Sequence, residues 1–552
     1  MAGQGGKKQG GAGWPGWAGL AALAAALCLA APAGAAGATQ PAAAQAPTAA
    51  GAPTPKASQP PPGEGISLMD AVRMALGQNL SIRLAEQNVA VNQGNLESAQ
   101  GKFDLTLVSN LTQQYTTTPF PQVDRLATNR AFGTNNLTSF SLGATKLLPS
   151  GVTLYPNLTV SRTRDTLEYP LLPASQAMVS FQVIVPLGQG LGEEAVGAGE
   201  RSARRALESA QYAYLHSAAQ NVYQAVYNYW QLRQAQLYLA VFQDAEDRAA
   251  RLLGEVAQLV KGGEVAHSVQ TNLQANLDLK SAQRLSAEQS VKSAAENLAN
   301  SLGLTLRGAG DPPLAADDFP ARAGFSLDAA AMAGLQRLAQ ARRADLKAAQ
   351  ANQESARENL VAALDAMKPK VNLTLGTGYN GLSEQEAYDS YYRSFEDSVY
   401  GLNALGKIDF EFPPENRAAR GQMVAQRALL RQAGIALDDT RRQVELGVNT
   451  ALASLQAAGL QCDKAQKAVD NYQQAVEDER FKFKLGTSTI LDVIQVEDQL
   501  TNALLNLAAA KQSYASAMVR LRYETGTLLA GDPRQAGLSR ENLTALPPAE
   551  TN

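Results

Sequence analysis

From Ala195 to Val260 the chain runs for 66 positions without a proline, and its only glycines there are Gly197, Gly199 and Gly254. At 1.5 Å per residue, a helix over that stretch would be about 100 Å long. No compact domain with one core contains such an element. After Gly262 and Gly263 a second helical pattern returns, from about Val265 to Leu302. The same plan recurs from about Arg417 to Leu485, with a turn at Gly486 and a return from Thr489 to Tyr523. Helices this long must pack side by side, as coiled coils do.

Their apolar positions are mostly Ala with scattered Leu and Val, as in LTNALLNLAAAKQSYASAMVRL, and Gln, Asn, Ser and Thr are abundant. Alanine permits close helix approach, whereas a solid bundle is richer in large side chains. The composition suits a hollow, water-filled tube, with an ordinary solvated coiled coil as the competing reading.

The two halves repeat. Asn95-Leu96 and Ala99 recur 264 positions later as Asn359-Leu360 and Ala363. Gly262 with Ser268-Val269 recurs 224 positions later as Gly486 with Asp492-Val493. The first half therefore carries about 40 extra residues before its helical tip. They include TSFSLGATKLLPSGVTLYPNLTVSR, two alternating runs joined by Pro149-Ser150-Gly151. This pattern predicts a β-hairpin with strands near 138–147 and 152–162.

Each half opens with a helix, the first from about Leu68 to Lys102, followed by strands over about 104–186 and 369–413. In VNLTLGTGY, Val371, Leu373, Leu375 and Tyr379 oppose Asn372 and Thr374; in ALGKIDFEF, Ile408, Phe410 and Phe412 oppose Lys407, Asp409 and Glu411. Such alternation fits a membrane barrel wall with Lys407, Asp409 and Glu411 facing its lumen. It also fits a soluble sheet with one buried face.

Lys7 and Lys8, an apolar stretch from about Trp17 to Leu29, and small residues at Ala33–Ala38 predict a secretory signal peptide over 1–38. Residues 39–63, almost entirely Ala, Pro, Gln, Thr and Gly, predict a disordered leader. Beyond the signal no run of 18 apolar residues occurs, so a membrane crossing requires a closed β-barrel. Only Cys462 follows the signal, which excludes an internal disulfide. Losing Lys7 and Lys8 makes the remainder more acidic than the formal charge of −3, which argues against a nucleic-acid partner.

Catalytic and cofactor motifs fail. His216 and His267 lack a cysteine or second histidine at metal-ligand spacing and read as helix-surface residues. GQGLGEEAVGAG at 188–199 lacks the G-x-G-x-x-G spacing and the G-K-[ST] lysine of phosphate loops, and reads as a flexible strand-to-helix joint. No cofactor, metal or enzymatic activity is expected.

At the two turns the sequence resembles the TolC-like outer-membrane efflux channels. The segment FKFKLGTSTILDVIQVEDQLTNALLNLAAAKQSYASAMVRLRYETGTL is similar to that family's second helical hairpin, and Arg343-Ala344-Asp345-Leu346 with KPKVNLTL is similar to the entry into its later strands. The resemblance covers roughly 66–530. It implies a mainly α protein with membrane β structure: a trimeric β-barrel in the outer membrane, continuous with a periplasmic α-helical coiled-coil barrel of two structural repeats. It places the first repeat at 64–302 with its tip near 261–268, an equatorial linker at 303–325, the second repeat at 326–530 with its tip near 485–492, and a tail at 531–552. Implied partners are two further copies of the chain, outer-membrane lipid, a periplasmic adaptor protein, and an inner-membrane pump or ABC transporter. The function implied is an exit duct for efflux or type I secretion; a non-conducting periplasmic tether or adhesin is the alternative.

The tip residues Gly262, Gly263, Ser268, Val269, Leu485, Gly486, Thr487 and Ser488 are the implied adaptor contacts. Asp492 matches the first acid of the family's periplasmic gate, and Gln495 stands where the second is expected, with Glu497 and Asp498 close by. Asp492 also suits the first turn of the returning helix, where the dipole favours an acid.

Overall fold

The computed structural model describes residues 65–166, 172–263, 265–304, 314–322, 329–385, 389–396, 399–529 and 540–547. The expected signal peptide and leader lie outside these residues, as do 305–313 of the linker and much of the tail.

The first repeat opens with α1 (Leu68–Gln78) and α2 (Leu80–Gln100), then β1 (Thr106–Pro119), the short α3 (Gln122–Thr128), β2 (Phe132–Leu147), β3 (Thr153–Asp165) and β4 (Ala174–Pro186). A single turn, α4 (Glu193–Val196), leads into α5 (Ala198–Lys261), and α6 (His267–Leu302) returns. The second repeat has α7 (Ala329–Arg342), α8 (Ala344–Asp365), β5 (Lys370–Glu384), α9 (Ser390–Glu396), β6 (Tyr400–Glu411), α10 (Arg417–Lys484) and α11 (Ile490–Glu524); α12 (Arg540–Thr544) follows. Helix α5 has 64 residues and α10 has 68. Among the described residues no helix is long and apolar enough to cross a membrane.

The opening helix of each repeat is broken, which the sequence reading missed. Asn79 (φ −63°, ψ 125°) interrupts the expected 68–102 helix, and Arg343 (φ −62°, ψ 123°) interrupts its counterpart 264 positions later. The Asn79 carboxamide oxygen accepts from the N–H groups of Ser81 and Ile82 and so caps α2, while its Nδ2 donates to the Ser301 carbonyl at 2.9 Å.

All six strands form one antiparallel sheet in sequence order, β1 to β6. The expected hairpin is present as β2 and β3, and its turn uses Gly151 at φ +91°. The joint at 188–199 is pinned rather than loose. The Gly190 N–H donates to Asp365 Oδ2 at 2.7 Å, and Gly188 lies so close to the Pro369 carbonyl that a Cβ would stand 2.2 Å from it.

The largest apolar cluster lies where the hairpins begin, around Val222, Val226, Tyr229, Trp230, Leu298, Leu302, Val519 and Leu528. It draws on both repeats, and each Leu or Val buried there stabilises the fold by about 1.5–3 kcal/mol. Ile66 forms a parallel bridge with Ala315 on this cluster. The Tyr229 hydroxyl donates to the Ile66 carbonyl at 3.0 Å and accepts from the Asp317 N–H at 2.8 Å. Burial pushes that phenol up to about 12, so it remains protonated.

Candidate functional site: a two-faced sheet and two helical tips

Antiparallel register fixes which side chains share a face, because partners across a ladder point the same way. From Phe410 and Ile408 the ladder passes to Val371 and Leu373, then to Val185 and Val183, and on to Leu154. Further along the strands the same face carries Phe181, Val179, Leu158, Val160, Phe140, Leu142, Leu107 and Leu111. The other face is mainly polar, with Asn110, Thr112, Ser139, Ser141, Asn157, Thr159, Ser180, Gln182, Asn372, Thr374, Lys407, Asp409 and Glu411; Val108, Tyr155, Met178 and Ile184 share it, and Lys146 and Arg162 stand on the mainly apolar face.

The three residues expected to line a lumen therefore share the polar face. Lys407 pairs with Asp409 at 2.8 Å, and Glu411 with Lys370 on the neighbouring strand at 3.3 Å. On the opposite face Leu402, Ile408 and Phe410 are exposed. Exposed apolar side chains on β1, β4, β5 and β6, among them Leu107, Leu111, Val179, Phe181, Leu375 and Leu402, form more apolar surface than a sheet facing water ordinarily shows. Both edge strands are exposed along their whole length apart from the partly covered Asp409, and open backbone edges cannot persist in lipid.

At the second tip, α10 ends at the cap residue Leu485, and Gly486 follows at φ +73°. The Thr487 N–H reaches the Lys482 carbonyl at 3.0 Å and the Gly486 N–H the Phe483 carbonyl at 2.9 Å. These paired bonds satisfy the orphan carbonyls of the helix end. At the first tip Gly262 is still right-handed (φ −75°), and Gly263 takes the left-handed position at φ +81°. By backbone conformation Gly486 therefore corresponds to Gly263, one residue later than the sequence repeat suggests. Gly262, Gly263, Ser268, Leu485, Gly486 and Thr487 are exposed and Ser488 is partly so. Val269 packs on Leu252, Val256, Leu273, Ile490 and Val493, an apolar cluster shared by both hairpins.

Asp492 is the third residue of α11 and closes a capping box. Its Oδ2 accepts from the Thr489 N–H at 3.1 Å and from Thr489 Oγ1 at 2.6 Å, and the Asp492 N–H reaches Thr489 Oγ1 at 3.3 Å. The Thr489 hydroxyl and N–H hold its carboxyl below the usual carboxylate range. Helix α6 has Ala266 as its N-cap residue and so no side-chain cap. Asp492 and Gln495, three residues apart on α11, are both exposed.

Glu497 and Asp498 are engaged elsewhere. Glu497 is buried against Arg480, with Nε 2.9 Å away, and Asp498 receives Lys280 Nζ at 2.6 Å from the other hairpin. Sequence reasoning missed Lys280. Its signal is position: Leu273, Lys280 and Ala287 are seven apart, so the lysine occupies a core position of α6. Arg248 is likewise buried, with its Nη2 3.2 Å from Thr501 Oγ1 and a second contact to Asp244. His216, expected on a helix surface, is half-buried with its ring 6.0 Å from that of Tyr523. Among the described residues no cluster of three metal-ligating side chains occurs.

Against known proteins, residues 335–527 match the outer membrane efflux protein family. The chain is 26% identical over 303 residues to outer membrane protein TolC of Escherichia coli (strain K12), covering 52% of this chain and 58% of that one. It is 25% identical over 299 residues to the proteases secretion protein PrtF of Dickeya chrysanthemi, covering 53% and 61%. The chain spans about half the length of the curated relatives it matches. Its fold is that of the outer membrane protein VceC of Vibrio cholerae, with a TM-score of 0.57 at 15% identity over 83% of this chain and 96% of that one. On the matched segment and the matched relatives, the chain is similar to the TolC-like outer membrane efflux proteins, and it shares the fold of the solved channels.

Proposed function

We propose that three copies of this chain form an outer-membrane exit duct, a passive conduit for efflux or type I secretion coupled through a periplasmic adaptor to an inner-membrane pump. One observation carries this reading. A single six-stranded sheet separates an apolar from a polar face, leaves both edges unpaired, and is continuous in sequence with helices about 100 Å long. In lipid, edge-to-edge closure with further copies satisfies the backbone, turns Phe410, Ile408 and Leu402 to the membrane, and turns Lys407, Asp409 and Glu411 inward. Six strands from each of three copies make roughly eighteen, the size at which barrels enclose an aqueous channel.

In this duct the first repeat (64–302) and second repeat (326–530) each supply one helical hairpin to the tube, and the linker (303–325) belongs to a belt around it. The tips, with Gly262, Gly263, Ser268, Val269, Leu485, Gly486, Thr487 and Ser488, meet the adaptor. Phe481, Leu485 and Leu491 add exposed apolar surface beside the second tip. Asp492 and Gln495 face the narrowing lumen. Because Arg480 and Lys280 hold Glu497 and Asp498, the constriction carries one acid per subunit, Asp492, rather than two.

Mass measurement of the purified protein in mild detergent tests the assembly. The expected species is three chains; a stable, folded single chain contradicts the shared barrel.

A further inference from the structure

The break at Arg343 leaves room that the break at Asn79 does not. The carboxamide of Asn79 turns back onto its own helix and onto Ser301. Arg343 points away from any cap, binding Asp345 at 2.9 and 2.6 Å and also Glu524, with its guanidinium carbon 5.3 Å from the centre of the Tyr523 ring. Between this break, the first third of α5 and the end of α11 lies a cavity of about 390 Å³. Its size falls within the range of small-molecule sites.

Two side chains in it lack the partners their chemistry calls for. Lys347 is half-buried, with Nζ 5.7 Å from the centre of the Tyr212 ring, and has no carboxylate partner among the described residues. The His216 imidazole touches the Tyr523 ring but has no hydrogen bond among the described residues. The carboxylates facing this region, Asp345 and Glu524, are both bound by Arg343. A partly desolvated ammonium without an anion is costly, so its environment favours a bound negative charge. Leu215 and Leu528 supply an apolar wall.

We propose that this cavity binds a small amphipathic organic anion, a carboxylate with an aromatic or short apolar body, its charge on Lys347 and His216 and its body against Tyr212, Leu215 and Leu528. The cavity walls come from both repeats, so an occupant braces the roots of both hairpins. Burial holds the His216 imidazole below its usual range; Asp345 and Glu524 pull it upward, and Arg343 pushes it down. It is therefore neutral at neutral pH and gains its proton only below the ordinary imidazole range, where it adds a second charge for the anion.

Titration of the purified full-length protein with benzoate, beside benzamide as the uncharged analogue, tests the site by calorimetry or saturation-transfer NMR. Saturable benzoate binding is expected, with benzamide weaker by about tenfold or more, the worth of one partly desolvated charge contact. Lys347→Met keeps the apolar stem on Tyr212 and is expected to weaken benzoate by about tenfold, while Lys464→Met on an exposed helix face leaves it unchanged. In the wild type, benzoate binds more tightly well below the ordinary imidazole range, at about pH 5, than at about pH 7.5, which tests the site even where the Lys347 variant does not fold. Equal affinity for benzamide, unchanged binding in the folded Lys347 variant, no tightening at the lower pH, or absence of saturation each overturn the proposal. The assay does not involve conduction, so its outcome is separate from that of the duct reading.

Discussion

Gly303 seats against Asn79. The glycine that ends the first returning helix touches the break in the first opening helix, as Gly526 touches the break at Arg342 and Arg343 in the second repeat. Gly303 has φ +75°, and a Cβ there would lie 2.5 Å from the Gln78 carbonyl oxygen. Gly486 has φ +73°, yet its surroundings are open. Gly303→Ala combines left-handed strain with a backbone clash and is expected to cost about 2–4 kcal/mol, against about 1 kcal/mol for Gly486→Ala. Denaturant midpoints of the two variants check this, and equal losses contradict it.

The two tips differ in capping. Thr489→Ala removes the capping box and is expected to cost about 1 kcal/mol, seen as faster amide exchange in the first turn of α11. Ala266→Thr supplies the missing cap at α6 and slows exchange there. The bonds from Thr489 depress the Asp492 pKa, so their contribution is complete above the ordinary carboxylate value. It is lost as pH falls through the lowered folded value. Protection of the α11 first turn that does not change with acidification contradicts this assignment.

Lys280 and Asp498 join the hairpins through a pair whose lysine is almost completely enclosed. Asp498→Ala leaves that ammonium without an anion and is expected to destabilise by about 3 kcal/mol. Lys280→Met combined with Asp498→Leu removes both charges and is expected to recover most of the loss. A double-mutant cycle with no coupling rules out the pair as a tie between the hairpins.

Much of this architecture was legible because its signals are local. Proline-free runs marked α5 and α10, and alternation in VNLTLGTGY and ALGKIDFEF marked two faces. The hairpin at β2 and β3 followed from two alternating runs joined by Pro149-Ser150-Gly151. The break at Asn79 was hidden because Leu76, Leu80 and Leu84 continue a four-residue spacing straight through it; the tertiary contact with Gly303 and Ser301 imposes it. For the proposed gate, the sequence singled out Asp492 but could not separate it from its acidic neighbours. Their partners, Arg480 across the tip on α10 and Lys280 on the other hairpin, engage Glu497 and Asp498 elsewhere. The Arg343 cavity left no sequence signal, since its lining comes from three distant segments.

Substitutions on adjacent residues of β6 separate the two faces. Phe410→Lys puts a charge on the apolar face and is expected to cost about 2–4 kcal/mol in a membrane-inserted barrel near the midplane, and less toward an interface. Asp409→Lys, one position away on the polar face, is expected to leave assembly intact. Folding yields into lipid vesicles measure both, and equal yields contradict the assignment of faces.

The central claim is that the assembled chain conducts, with Asp492 as the acid of its constriction. Single-channel recording in planar bilayers under a salt gradient tests it most directly, comparing wild type with Asp492→Asn, which retains a side chain able to cap α11. The account predicts discrete conductance steps in the wild type, with a reversal potential favouring cations and block by multivalent cations from the tip side. In Asp492→Asn it predicts that cation preference and block both weaken. Bilayers that take up the folded protein without any conductance contradict the duct, and conducting channels whose selectivity and block do not change in Asp492→Asn contradict the gate.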